Sequence, residues 1–348
     1  KIMKRLTSLT LLGLVLLTSC KKDKTPFPLE PAYNDLERGW MEEPTESDFE
    51  EPQTVTPYFT NYTYQYRVPQ FNPSNPDEIV YYYENSENNL QQLVKYNLKT
   101  TQKTVLTNNM RIIGEPAWSS QGWIAFAHYP SYQIYLVKDD GSGLIQFTDD
   151  ATNLYPQWSA DGNYLYWGNA QILAQNTMWV KRSLASSITD TINSDENGNV
   201  IISAWDNKIS NLNSALTLSL VSNEPYYSKA DLNFSSLVIS PIISVESTQN
   251  DITPFRCWSH DNQYFFLSYY STGKILQVRV SDGSYELFRP QYYANWIQTI
   301  DASPDGKYLV AERVDKFNVF EADGSIAPPT GLRHRIQLID IETKKIKI

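Results

Sequence analysis

The chain has 348 residues, is 41% hydrophobic and 13% aromatic, and carries a formal net charge of −10. Such acidity argues against nucleic acid or an anionic headgroup surface as a partner, because both need cationic patches. With only two cysteines, Cys20 and Cys257, and the first assigned below to lipid, no intramolecular disulfide is expected, so stability must come from burial.

The N-terminus is basic (Lys1, Lys4, Arg5) and runs into an apolar stretch from Leu6 to Leu17. About a dozen residues are too few for a permanent span, which needs about 20. A basic end, a short apolar core and small residues are the parts of a secretory signal. The tetrad Leu17-Thr18-Ser19-Cys20 resembles the lipobox of bacterial lipoproteins. The resemblance implies a signal over 1–19, cleavage before Cys20 and a diacylglycerol on its thiol. Cleavage would leave 348 − 19 = 329 residues and remove three basic groups, taking the charge from −10 to −13. Residues 20–53 read as the lipidated cysteine and a disordered tether, with Pro26, Pro28, Pro31, Pro44 and Pro52 and an acidic stretch from Glu42 to Glu51. Residues 54–348 are the folded domain.

Within that domain a repeat appears. Glu115-Pro-Ala-Trp-Ser-Ser-Gln-Gly-Trp-Ile-Ala-Phe aligns with Tyr155-Pro-Gln-Trp-Ser-Ala-Asp-Gly-Asn-Tyr-Leu-Tyr. Phe255-Arg-Cys-Trp-Ser-His-Asp-Asn and Ile300-Asp-Ala-Ser-Pro-Asp-Gly keep the frame, and Pro69-Gln-Phe-Asn-Pro is a looser, earlier copy. The residue before each serine position gives anchors at Phe71, Trp118, Trp158, Trp258 and Ala302. The intervals are 118 − 71 = 47, 158 − 118 = 40, 258 − 158 = 100 and 302 − 258 = 44. An interval of 100 is two periods, and Ser203-Ala-Trp205 is the candidate for the degenerate copy between. Six anchors over 348 − 54 + 1 = 295 residues give about 49 per repeat.

The motif has a physical reading. The aromatic ends a strand and fills the space between neighbouring sheets. The aspartates (Asp161, Asp305) accept backbone N–H groups in a tight turn, and the glycines (Gly162, Gly306) take the φ > 0 position. Strands are expected at Trp123–Ala127, Gln133–Val137 and Leu144–Phe147, with a second turn at Lys138–Gly141; Lys274–Val280, Ser281-Asp-Gly283 and Tyr285–Phe288 repeat that order. Four strands per repeat make a propeller blade. Ring closure needs a blade built from both termini, to which Val55–Tyr66 is a candidate contributor. The Asn197-Gly198 pair reads as a hairpin turn rather than a calcium loop, since the twelve-residue spacing and the bidentate Glu are missing.

The order Trp-Ser-x-Asp-Gly, then Ile-Tyr-x-x-x-x-Asp-Gly, then a Thr-ended strand resembles the TolB-like (PD40/WD40-like) repeat, best over Pro116 to Thr148. The resemblance implies an all-β, six-bladed β-propeller with four-stranded antiparallel blades. It also implies a protein–protein interaction platform, here of the cell envelope and anchored in the outer membrane, with an envelope protein or peptide as partner. Loops after the second strand and between blades would share one face. The residues expected on it are Tyr129, Tyr132, Tyr155, Tyr292, Trp296, Asp315, Arg333 and His334, the last three bounding a long insertion from Asp315 to His334.

A second reading is a glycan-binding surface lipoprotein, prompted by Tyr81–Tyr83, Tyr226-Tyr227, Tyr269-Tyr270 and Tyr292-Tyr293. Consecutive strand tyrosines point to opposite faces, so packing accounts for most of them. A metal-dependent propeller lyase or hydrolase comes third. No catalytic constellation, metal site or cofactor is visible: there are three histidines, no Gly-x-Ser-x-Gly elbow, and Cys257 sits beside an anchor tryptophan as a small buried hydrophobe.

Overall fold

The computed structural model describes residues 64–344, apart from 86–87, 151, 171–177, 193–195, 199, 211–213, 223, 233–236, 245–254, 269–274, 290–294 and 318–330. The expected signal, Cys20, the tether and Val55–Thr63 lie outside the described residues. Among the described residues, twenty-three strands form six antiparallel sheets in chain order. Blade 1 is β1 (Tyr64–Asn72), β2 (Asn75–Asn85), β3 (Leu90–Asn97) and β4 (Lys103–Asn108). Blade 2 is β5 (Arg111–Trp118), β6 (Trp123–Tyr129), β7 (Gln133–Lys138) and β8 (Ile145–Gln146). Blade 3 is β9 (Thr152–Trp158), β10 (Tyr164–Ala170), β11 (Met178–Ser183) and β12 (Thr189–Ile192). Blade 4 is β13 (Val200–Ile209), β14 (Ser214–Val221), β15 (Glu224–Leu232) and β16 (Leu237–Ser244). Blade 5 is β17 (Phe255–Trp258), β18 (Tyr264–Ser268), β19 (Ile275–Arg279) and β20 (Tyr285–Arg289). Blade 6 has three strands among the described residues, β21 (Asn295–Ala302), β22 (Tyr308–Phe317) and β23 (Gly331–Asp340).

Six apolar clusters occupy the six seams between these sheets. One joins Val80, Tyr82 and Leu106 of blade 1 to Trp118 and Phe126 of blade 2. Others join blades 2 and 3 through Leu136, Trp158 and Trp167, blades 3 and 4 through Trp179 and Ala230, and blades 4 and 5 through Tyr227, Trp258 and Phe265. Phe266, Phe288 and Leu309 fill the fifth seam. The sixth closes the ring, packing Val310, Ile336 and Leu338 of blade 6 against Phe71, Ile79 and Tyr81 of blade 1. A six-membered cycle of seams is a closed six-bladed propeller. Each seam removes apolar surface from water at about 25 cal/mol per Å².

The turn chemistry holds as the sequence implies. Ser159 Oγ accepts the Tyr164 N–H at 3.0 Å and donates to Asp161 at 2.5 Å, while Asp161 accepts the Asn163 N–H at 3.0 Å. Ser303 repeats this with Tyr308 at 2.9 Å and Asp305 at 2.7 Å, and Ser259 with Tyr264 at 3.0 Å and Asp261 at 2.6 Å. Gly162 and Gly306 take φ of 69° and 73°, the left-handed region that glycine enters without steric cost. Trp158 Nε1 donates to the Ala117 carbonyl of the preceding blade at 3.0 Å, and Trp258 Nε1 to the Lys208 carbonyl at 3.0 Å. Tyr81, Tyr82 and Tyr227 are buried, as packing predicts.

Four expectations need correction. Trp205 lies inside β13 rather than at its end, and the fourth anchor is Ile209, followed by Ser210. Ser210 makes the same turn, its N–H donating to the Ser214 carbonyl at 2.8 Å and its Oγ accepting the Ser214 N–H at 3.3 Å. Among the described residues the last blade has three strands, not four; of the Val55–Tyr66 run, Tyr64–Tyr66 belongs to β1, the inner strand of blade 1, and Val55–Thr63 lies outside the described residues. The insertion of blade 6 is shorter than Asp315–His334, because β22 runs on to Phe317 and β23 begins at Gly331. Asn197-Gly198 connects β12 of one sheet to β13 of the next and is not a hairpin.

Candidate functional site

The inner strands run from a face carrying the second-to-third-strand loops to a face carrying the tight serine turns. Several of them break register midway: β1 between Arg67 and Gln70, β5 between Ile113 and Ala117, β13 between Ser203 and Lys208, β21 between Ile297 and Ile300. Such bulges re-aim the residues beyond them. Here the residues just before the anchors (Gln70, Ala117, Gln157, Lys208, Cys257 and Asp301) all line one axial cavity of about 260 Å³. Its mouth lies between the serine turns, with Trp118, Trp158, Trp258, Ser210 and Ser259 among the lining residues.

Charge is concentrated at the floor. Lys208 forms an ion pair with Glu115 of blade 2 and donates to Gln70 Oε1 of blade 1 at 3.1 Å, so one ammonium of blade 4 ties three blades together across the axis. Burial opposes its charge, but Glu115 and Asp301 outweigh burial and hold its pKa above the ordinary lysine value. Asp301 accepts the Phe71 N–H at 2.8 Å; burial pushes its carboxyl up, and Lys208 offsets this only in part. Burial, and then the Asp301 charge, push the Cys257 thiol well above its usual value. The sequence frame contained five of these six positions, one before each anchor, but not Lys208, because its fourth anchor is Trp205; the anchors also drew attention to packing.

On the opposite face, the expected residues gather in two groups. In blade 2, Tyr129 is 38% exposed, its ring stands 5.6 Å from that of Tyr132 in a T-shaped pair, and Arg111 lies 4.7 Å over it. Tyr132 and Tyr155 both have a left-handed backbone (φ 54°), and the Tyr155 ring lies against Gly114 of the neighbouring inner strand. In blade 6, Asp315 is register partner to both Asn295 and Arg333, and Val314 to both Trp296 and His334. Two rows across three strands therefore place Trp296, Asp315, Arg333 and His334 at one end of the blade. Tyr292 lies outside the described residues.

His334 is 6% exposed, and its Nδ1 donates to Glu312 at 2.5 Å. Glu312, fully buried, also accepts the Val68 N–H at 2.8 Å, Thr299 Oγ1 at 3.3 Å and Arg67 Nε at 3.4 Å. Burial raises its pKa, yet His334, Arg67 and the Val68 N–H bring it below the ordinary carboxylate value. Sequence reasoning missed Glu312, since nothing in a strand marks a residue that latches the ring-closing seam. His128, by contrast, bonds Ser131 at 2.9 Å on blade 2. Among the described residues, no group of three or more His, Cys, Asp or Glu could hold a metal, and no helix is long and apolar enough to cross a membrane.

These features define the class: a six-bladed β-propeller with a polar axial cavity on its turn face and an aromatic, basic cluster on its loop face. No family model and no curated protein matches the chain. Among solved structures it is similar to TolB from Acinetobacter baumannii, at 12% identity over 64% of this chain and 56% of that one, with a TM-score of 0.49. It is also similar to a prolyl endopeptidase (12%, 81% and 48%, TM-score 0.47) and to a gluconolactonase from Xanthomonas campestris (13%, 70% and 81%, TM-score 0.47). The chain thus spans about half the length of the first two. With TM-scores below 0.5, the fold rests on the sheet order and the six seams, and those proteins' activities stay theirs.

Proposed function

We propose that the protein is a protein–protein interaction propeller of the bacterial cell envelope, docking a partner on its loop-bearing face. The observation that carries this reading is the cluster of exposed Tyr129 and Arg111 on half-buried Tyr132. Tyrosine and arginine are the residues that concentrate binding energy at protein interfaces. Tyr132 is held in a sparsely populated backbone region, at a cost typical of functional positions. The row Asn295–Asp315–Arg333 puts further polar residues at the same end of blade 6. The Leu17–Cys20 tetrad supports lipid attachment at Cys20, with the outer membrane as its site.

The test is crosslinking in intact cells, then affinity capture of the wild-type protein and of an Arg111→Glu/Tyr129→Ala variant. One dominant envelope protein captured by the wild type and lost from the variant is the expected result. Equal capture by both would move the docking surface elsewhere, and no reproducible capture would contradict the reading. A Cys20→Ala change should release the chain from the membrane fraction.

A further inference from the structure

The outer edge of β23 has no neighbouring strand among the described residues, whereas in blade 1 the corresponding edge of β3 is covered by β4. The two blades match at the turn that leaves the third strand. Asn97 Oδ1 accepts the Thr100 N–H at 2.8 Å, and the Asn97 carbonyl accepts the Thr101 N–H at 2.9 Å. Asp340 does the same with Thr343 at 2.8 Å and Lys344 at 2.9 Å. Thr101 and Lys344 both take a left-handed backbone, with φ of 58° and 60°. The next match sets the register: the Leu98 N–H donates to the Asp77 carbonyl, and the Ile341 N–H to that of Lys307.

Asn97 therefore aligns with Asp340, Leu93 with Ile336 and Gln92 with Arg335. N–H groups alternate between the two edges of a strand. Because Leu98 and Ile341 donate inward to the second strand, Leu93 and Ile336 both donate outward. In blade 1 the Leu93 N–H meets Thr107 Oγ1 at 3.1 Å, and Gln92 Nε2 meets Asn108 Oδ1 at 2.6 Å. Blade 2 repeats the first of these bonds, from the Ile134 N–H to Thr148 Oγ1 at 2.9 Å. Ile336 is as buried as Leu93 and Ile134, so its outward N–H also needs an acceptor. A buried donor left without one costs about 1–3 kcal/mol.

We propose that the segment Phe59-Thr60-Asn61, which lies outside the described residues, docks on this edge of β23, with Thr60 Oγ1 accepting the Ile336 N–H and Asn61 beside Arg335. Three observations select this occupant. Phe59-Thr60-Asn61 repeats the order of Leu106-Thr107-Asn108. The spacing is the same: Asn108 stands 118 − 108 = 10 residues before the anchor Trp118, and Asn61 stands 71 − 61 = 10 before Phe71. Two residues then separate each asparagine from the next inner strand, β5 at Arg111 and β1 at Tyr64. The direction agrees as well, since an outer strand ends on the loop face, where β1 begins. By the same alignment Ile346-Lys347-Ile348 take the places of Lys103-Thr104-Val105, opposite Ile339, Leu338 and Gln337, and leave the edge at Ile336 and Arg335 to the N-terminal segment. The tether of residues 20–53 is then tied to the rim of blade 6, a role separate from docking of a partner at Tyr129.

The test is amide hydrogen exchange by NMR in the full chain at two protein concentrations. The Ile336 N–H should be protected to the same degree as that of Leu93. Thr60→Val, nearly isosteric but without the acceptor oxygen, should speed Ile336 exchange about tenfold, as for loss of one hydrogen bond, and leave Leu93 unchanged. Thr60→Ser keeps the oxygen and should restore the protection. Thr107→Val calibrates the effect within the described fold: it should speed Leu93 by a similar factor and leave Ile336 alone. An unprotected Ile336 in the unaltered chain, or protection that Thr60→Val does not change, would overturn the proposal. Protection that grows with protein concentration would assign the edge to a second copy and overturn it too.

Discussion

Glu312 shows how much one side chain can hold in this ring. It receives His334, Arg67, Thr299 and the Val68 N–H at the seam between the last blade and the first. Removing one partner of a buried pair costs about 3–5 kcal/mol, so Glu312→Ala should lower unfolding free energy by that amount in denaturant titrations. The sign of the pH effect follows from its depressed pKa. Its stabilisation is present above the unfolded carboxylate value and is lost as pH falls through the depressed one. Asp301, with a raised pKa, acts oppositely, giving up stability as pH rises through its shifted value. Glu312→Gln should therefore flatten the acid limb of the stability profile, and Asp301→Asn the limb just above it. Cys257, 1% exposed with its thiol pKa raised, should resist alkylation at neutral pH until the chain is unfolded. Labelling at the native-state rate of a free thiol would contradict that placement.

At the scale of the element, the blade was legible wherever its turn carried the full chemistry. Trp158-Ser159-Ala-Asp161-Gly162 announces an inter-blade aromatic, a serine acceptor, an aspartate and a left-handed position, and each appears in the structure. Blade 4 was misread because Ile209-Ser210 keeps only the serine: a β-branched anchor and no Asp-Gly pair look like any strand end, while Trp205, mid-strand, looked like an anchor. Five of the six axial positions were in the sequence too, one residue before an anchor, but a bulge that turns those side chains inward leaves no sequence mark. Glycines in the connections between strands differ measurably. Both Gly198 and Gly283 have positive φ, but a Cβ at Gly283 would stand 2.3 Å from the Ile242 carbonyl of the preceding blade, whereas Gly198 has nothing within 4 Å. Gly198→Ala should cost about 1–2 kcal/mol from backbone strain alone. Gly283→Ala should cost clearly more, read as a larger drop in Tm; equal drops would mean blades 4 and 5 are not packed as described.

At the scale of the molecule, six sheets close through six apolar seams, the last of them clamped by Glu312. The ring leaves two unlike faces. One bears the tight serine turns and the axial cavity; the other bears Tyr129, Tyr132 and Arg111, with Trp296, Asp315, Arg333 and His334 at the same end of blade 6. Composition and repeat made the ring and its faces readable, whereas function depends on which face meets a partner, and that is written in side-chain exposure rather than in period. The most direct test is a photo-crosslinker scan in intact cells, placing the reactive residue at 129, 132 and 111 on the loop face and at 120, 160 and 304 on the turn face. Crosslinks to one protein from the first set and none from the second are the expected result. Crosslinks confined to the turn-face positions would contradict the docking assignment.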